Sequence, residues 1–205
     1  MLFETPKLDD TQLDAIREVG NIGAGHAATA LSQLIEKKIF IKVPQVLFLS
    51  LEEITTLVGG PQALIAGVTM HVLGDVSAKI VMDLPRTSAV QLATMLTKQQ
   101  ADERQILTAL EHSAIKEVGN ILAGAYLNAL TEFLGLMLLQ SVPQLVFDLA
   151  EAVVAEIAKG MPEDVKVLCI ETTFSEPNRI INGHFFLIPD KNSLDQILKA
   201  IRVKS

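Results

Sequence analysis

The chain has 205 residues, of which 49% are hydrophobic and 20% charged, with a formal net charge of −7 and one cysteine, Cys169. Such a composition supplies a sizeable core and argues against disorder. The acidic balance argues against a nucleic-acid backbone as partner, because phosphate binding demands clustered Lys and Arg. A lone cysteine excludes an internal disulfide framework and suits a reducing compartment. No apolar run approaches the roughly 18 residues that span a bilayer. The opening residues lack the basic and apolar regions of a signal peptide, so the expectation is a cytoplasmic protein. His26, His71, His112 and His184 are scattered, with no His or Cys partner at metal-ligand spacing.

In chain order, residues 9–37 form a long helical pattern carried by Leu13, Ile16, Val19, Ile22, Leu31 and Leu34, with Asp9 or Asp10 as cap. A strand is expected at 39–49, where Pro44 suggests an edge or a bulge. A short amphipathic turn follows at 51–58, and the Gly59-Gly60-Pro61 break leads to strands near 64–73 and 75–83. Gly74-Asp75 sits between them like a hairpin turn. Pro85 then opens a helix at 86–97. The same order recurs as helix 103–134, strand 137–148, short helix 149–159, strands 165–174 and 179–188, and helix 191–202.

The recurrence is a duplication. Residues 14–25 read DAIREVGNIGAG and residues 113–124 read SAIKEVGNILAG, identical at nine of twelve positions. The same offset aligns Val43-Pro44-Gln45 with Val142-Pro143-Gln144, and Phe48 with Phe147. The expected fold is α/β (α+β): a pseudo-two-fold, duplicated α-β-α-β-β-α unit. About three strands per unit make a weak sheet alone, so the halves should share one mainly antiparallel sheet covered by helices. Residues 1–205 then form a single domain, with halves at about 9–100 and 103–204.

Each repeated helix carries polar residues at i, i+4 and i+7: Asp14, Glu18 and Asn21, then Ser113, Glu117 and Asn120. These positions share one helix face. A single Glu-x-x-Asn on a solvated face is ordinary. Keeping Asn in both copies, at about 0.7 kcal/mol against Ala, while Lys42 has diverged to Ser141 and Leu49 to Asp148, favours function. Gly20, Gly23, Gly25, Gly119 and Gly124 read as points of close helix packing. A phosphate-cradling loop is the rival reading, but the glycines lie within a helical pattern and no Lys follows. Without a nucleophile or a His base, Glu and Asn suit a substrate already primed for reaction. An aspartyl phosphate, held beside its own Mg²⁺ and Lys, is such a substrate. A carboxamide can orient water in line with the P–O bond, and a carboxylate can pair with that Lys.

The duplicated [DS]-x-x-x-E-x-x-N pattern strongly resembles the CheC family over essentially the whole chain. The resemblance implies a phosphatase that hydrolyses the aspartyl phosphate of a CheY-type response regulator in chemotaxis. The acting residues would be Glu18, Asn21, Glu117 and Asn120, with Asp14 and Ser113 at secondary motif positions. It implies two competent sites and no intrinsic cofactor, Mg²⁺ coming with the phosphorylated regulator. A second partner, the CheD deamidase, is expected near residues 148–160, a stretch that reads equally as an ordinary cover helix. CheX-type relatives carry one copy of the motif, and FliY-type relatives add a C-terminal switch domain. The alternatives are a non-catalytic adaptor that binds phosphorylated CheY or CheD, and a nucleotide-binding α/β domain.

Overall fold

A computed structural model describes residues 9–97, 107–159, 167–176 and 179–204. The first half contributes α1 (Asp10–Ile35), β1 (Phe40–Lys42), β2 (Val46–Leu49), α2 (Leu51–Leu57), β3 (Leu64–Gly74), β4 (Ala78–Pro85) and α3 (Arg86–Thr97). The second repeats the order as α4 (Ala109–Leu134), β5 (Leu138–Gln140), β6 (Gln144–Leu149), α5 (Ala150–Ala158), β7 (Val167–Glu176), β8 (Arg179–Pro189) and α6 (Lys191–Lys204).

Both long helices start with a reciprocal cap. The Asp9 side chain accepts from the Gln12 amide while Gln12 reaches back to the Asp9 amide, and Thr108 and Glu111 do the same for α4. Each cap satisfies two backbone donors left without helical partners. The second helix therefore begins at Ala109 rather than at 103, and residues 103–106 lie outside the described residues, as do 165 and 166 of the expected strand. At the other end Gly135 takes the left-handed conformation at φ +70°, as Glu36 does at φ +56° after α1.

One eight-stranded antiparallel sheet runs in the order β1-β7-β8-β4-β3-β5, with β2 also on β7 and β6 also on β3. The shared antiparallel sheet is as expected, but its edges are exchanged. The short strands of the first half pair with the hairpin of the second, and those of the second pair with the hairpin of the first. The Ala66–Leu84 rung of one hairpin corresponds to the Leu168–Leu187 rung of the other. At the centre β4 meets β8, and the pseudo-two-fold axis passes by the Met82–Phe185 pair.

The long strand expected at 39–49 is two strands, because Val43-Pro44-Gln45 leaves the ladder between β1 and β2, and Val142-Pro143 does the same between β5 and β6. The hairpin turn also lies later than expected. Gly74 ends β3 at φ +119°, where a Cβ would sit 2.2 Å from the Met137 carbonyl oxygen, so only glycine fits. Asp75 ties this corner to the second half: its amide donates to the Met137 carbonyl, and Met137 N donates to its carboxylate at 2.7 Å.

The sheet separates two apolar layers. On one face α1, α3, α4 and α6 pack over Val68, Met70, Ile80, Met82, Leu84, Phe174 and Phe185. On the other α2 and α5 cover Ile65, Val81, Cys169, Phe186 and Ile188. The alternation of even and odd residues along β4 between these layers follows from the period of a strand. Tyr126 of α4 is fully buried, edge-on to Phe185 at 4.7 Å, and its hydroxyl meets Thr172 Oγ1 at 3.1 Å. Burial pushes its pKa up to about 12.

Glycines set how closely α1 and α4 approach their neighbours. A Cβ on Gly23 would lie 2.6 Å from the Tyr126 ring and 3.0 Å from its Cα, and one on Gly119 would lie 2.7 Å from Val68. Gly25 has nothing within 4 Å. Close packing thus accounts for Gly23 and Gly119 but not for Gly25. Gly23→Ala should destabilise the fold by about 1–3 kcal/mol through overpacking. Gly25→Ala should stabilise it by about 1 kcal/mol through helix propensity. Urea denaturation of both variants checks this, and equal effects would contradict the packing assignment.

Candidate functional site

The buried stripes of α1 (Ile16, Val19, Gly20, Gly23, Ala27) and of α4 (Ile115, Val118, Gly119, Leu122, Tyr126) turn the intervening polar positions outward. Asp14, Glu18 and Asn21 are exposed, as are Ser113 and Glu117, while Asn120 is half-buried. The structure therefore places each expected acid and amide together on the outer face of its helix.

The leading positions differ between the copies. Asp14 pairs with Arg17 at 2.9 Å. Ser113 donates back to the Ala109 carbonyl at 2.9 Å, a local bond typical of helical serine. Among the described residues neither Glu18 nor Glu117 has a hydrogen bond or ion pair. Each carboxylate is thus available to an incoming cation. Ile22, one helical turn beyond Glu18, is 45% exposed and adds an apolar contact to the first face.

The two carboxamides are held, by unlike devices. Val43 N donates to Asn21 Oδ1 at 3.3 Å. Gln140 Nε2 donates to Asn120 Oδ1 at 2.9 Å and to the Asn120 backbone carbonyl at 3.0 Å. Both oxygens are engaged from the protein side, which leaves each Nδ2 amino group and the second lone pair of each Oδ1 for an external partner. Val43 and Gln140 are the contributors that the sequence pattern does not announce. One is a backbone amide. The other corresponds to Ile41 in the first copy and sits within a segment that reads as continuous strand.

The remaining reactive groups lie elsewhere. Cys169 is in β7 and buried, and burial, with Asp83 and Glu171 nearby, pushes its thiol pKa up, away from nucleophilic use. Among the described residues no three His, Cys, Asp or Glu side chains gather as metal ligands, and no helix is long and apolar enough to cross a membrane. What each face offers is an unpaired carboxylate beside an oriented amide, equipment for docking a cation and aligning a small polar molecule.

The fold is duplicated, with one such face on each of two equivalent helices. The chain belongs to the CheC-like family, whose model matches residues 12–47 and 110–147. It is 32% identical over 202 residues to the CheY-P phosphatase CheC of Bacillus subtilis (strain 168), covering 95% of each chain. Among solved structures, FliY of Thermotoga maritima is 19% identical, with a TM-score of 0.76 over 97% of this chain and 99% of that one. CheX in the CheX–CheY–BeF3–Mg²⁺ complex of Borrelia burgdorferi is 18% identical, with a TM-score of 0.52 over 82% of this chain and 95% of the matched chain. At these identities the two structures share the fold.

Away from the two helix faces, one buried pair is electrostatically coupled. On β4 and β8, His184 Nδ1 donates to Asp83 Oδ1 at 2.9 Å. Asp83 is 1% exposed, and among the described residues its Oδ2 has no partner. Burial raises the Asp83 pKa. Burial alone would lower that of His184, but the hydrogen bond and charge of Asp83 carry it above 6.5. A histidine raised in the fold contributes stability in full below its unfolded value and loses it as pH rises through the folded value. The wild-type urea midpoint should therefore fall as pH rises above about 6.5, and Asp83→Asn should flatten that fall. An undiminished slope in Asp83→Asn would assign it to another group.

Proposed function

We propose that the chain is a phosphatase that hydrolyses the aspartyl phosphate of a CheY-type response regulator, at two sites. The observation that carries this reading is the unpaired Glu one turn from an Asn whose Oδ1 is held, built twice on equivalent helices. The similarity to a CheY-P phosphatase along nearly the whole chain supports it.

In this reading Glu18 or Glu117 pairs with the regulator's active-site Lys and docks the helix. Asn21 or Asn120 then aligns a water in line with the scissile P–O bond. The water oxygen bonds to phosphorus, and the P–O bond to the aspartyl oxygen breaks. The electron pair returns to the regulator's carboxylate, and a proton leaves with inorganic phosphate. Mg²⁺ belongs to the regulator and neutralises phosphoryl charge there. The helix face supplies positioning, where a displacement of about 1 Å costs on the order of 100-fold.

Phosphate release from a regulator continuously rephosphorylated by a small donor tests the reading. Asn21→Ala and Asn120→Ala should each lose the contribution of one site. The double variant should lose about 100-fold while still binding the regulator. A double variant as active as wild type would remove the amides from the chemistry. Wild type that binds without accelerating release would instead favour the adaptor.

A CheD-type deamidase is the second partner in this reading, docked on the outer side of α5. That helix buries Val153, Val154 and Ile157 and exposes Glu151 and Glu156. Glu151 accepts from Gln62 Nε2 at 2.9 Å, and Glu156 pairs with Lys159. Glu151→Lys and Glu156→Lys together should weaken capture of CheD by about tenfold or more, since an interfacial charge reversal typically costs over 1.4 kcal/mol. Unchanged capture would move the contact off this helix.

A further inference from the structure

We propose that Gln140 is a positioning residue for the second site: a removable side-chain clamp on Asn120 with no counterpart at the first. The proposal rests on the two-site phosphatase reading and extends it.

The copies share the sequence Val-Pro-Gln after their first short strand, yet the two segments lie differently. In the first copy Val43 is 4% exposed, lies so that a Cβ on Gly20 would meet it at 3.5 Å, and delivers its N–H to Asn21. In the second, Val142 is 79% exposed. The residue before it also differs, Lys42 in one copy and Ser141 in the other. Ser141 is stitched to β3: its amide donates to the His71 carbonyl at 2.8 Å, and its hydroxyl accepts from the His71 amide at 3.0 Å. Among the described residues no backbone N–H from this segment is bonded to the second helix face.

Gln140 fills the role instead. Its counterpart by the repeat, Ile41, is a buried apolar residue of β1. Gly124 lies beside Gln140, and a Cβ there would touch both ends of the Gln140 amide at 3.4 Å. At Gly25, the equivalent position, the space is empty. The hydrogen bonds fix which way both amides point. A backbone carbonyl only accepts, so Gln140 must present Nε2 to the Asn120 carbonyl. Its second proton then requires an acceptor, which is Asn120 Oδ1. Asn120 consequently turns its Nδ2 amino group away from Gln140. A carboxamide with a fixed rotamer and a fixed sense pays less ordering cost when it aligns water. The two sites thus hold the same group by a main-chain donor and by a side-chain donor.

The test uses the full chain in the Asn21→Ala background, where turnover comes from the second site. Gln140→Met keeps the volume and loses the donor, and Gln140→Glu keeps the shape and replaces the donor by an acceptor. Both should lower kcat by about tenfold with KM unchanged. In Asn120→Ala, the further change Gln140→Met should cost no more than Asn120→Ala alone, because the clamped oxygen is already gone. Nitrogen relaxation of the side-chain amides supplies a readout that needs no turnover: Asn120 should gain mobility in Gln140→Met while Asn21 stays as it was. An unchanged kcat, a rise in KM alone, or an Asn120 amide as ordered in Gln140→Met as in wild type would overturn the proposal. If wild type itself releases no phosphate, the phosphatase reading fails separately, and the relaxation experiment still decides whether Gln140 holds Asn120.

Discussion

Neither half of the chain completes a sheet with its own strands. The β3–β4 hairpin is extended by β5 and β6 from the other half, and the β7–β8 hairpin by β1 and β2. Because each short strand is tethered to the long helix that precedes it, the exchange draws α1 and α4 onto the same face of the shared sheet. There they meet at Gly23 and Tyr126, at a distance that a single methyl group would disturb. The orientation of the two polar faces depends on this arrangement. The stripes that bury Ile16, Val19, Ile115 and Val118 fix which way Glu18, Asn21, Glu117 and Asn120 must look.

The exchange also explains how equivalent sites come to differ. A duplicated chain begins with two identical surroundings, and each half then diverges against the other half's residues rather than its own. At the axis this is visible in the rungs that flank Met82–Phe185. On one side Val81 faces Phe186, and on the other Asp83 faces His184, so an apolar pair and a buried hydrogen-bonded pair occupy corresponding positions. On the helix faces the same divergence gives Asn21 a main-chain donor and Asn120 a side-chain donor. The acid and the amide kept their places while the parts that hold them changed.

Much of the architecture was legible in the residues. The 3.6-residue periodicity of α1 and α4, the prolines at 85 and 189 and the glycine breaks set the order of elements. The nine identities between 14–25 and 113–124 revealed the symmetry. The strand exchange was not legible, because alternation along Val46–Leu49 says which residues face a core and not which hairpin supplies it. The split of the 39–49 segment was half visible in Pro44. For the site, the acids and amides stood out because the repeat preserved them. Their holders did not. The Val43 donor is a backbone group with no identity of its own, Gln140 acts across 20 residues of sequence, and the Asp83–His184 pair joins residues 101 apart.

In the proposed function both polar helix faces receive an activated regulator, and chemical-shift mapping can detect this. The chain would be titrated with a CheY-type regulator carrying Mg²⁺ and beryllofluoride in place of the phosphoryl group. Perturbations are expected around Glu18–Asn21 on α1 and around Glu117–Asn120 on α4, with saturation at two regulators per chain. Perturbations confined to α2, α5 and the sheet face beneath them, with both helix faces silent, would contradict it.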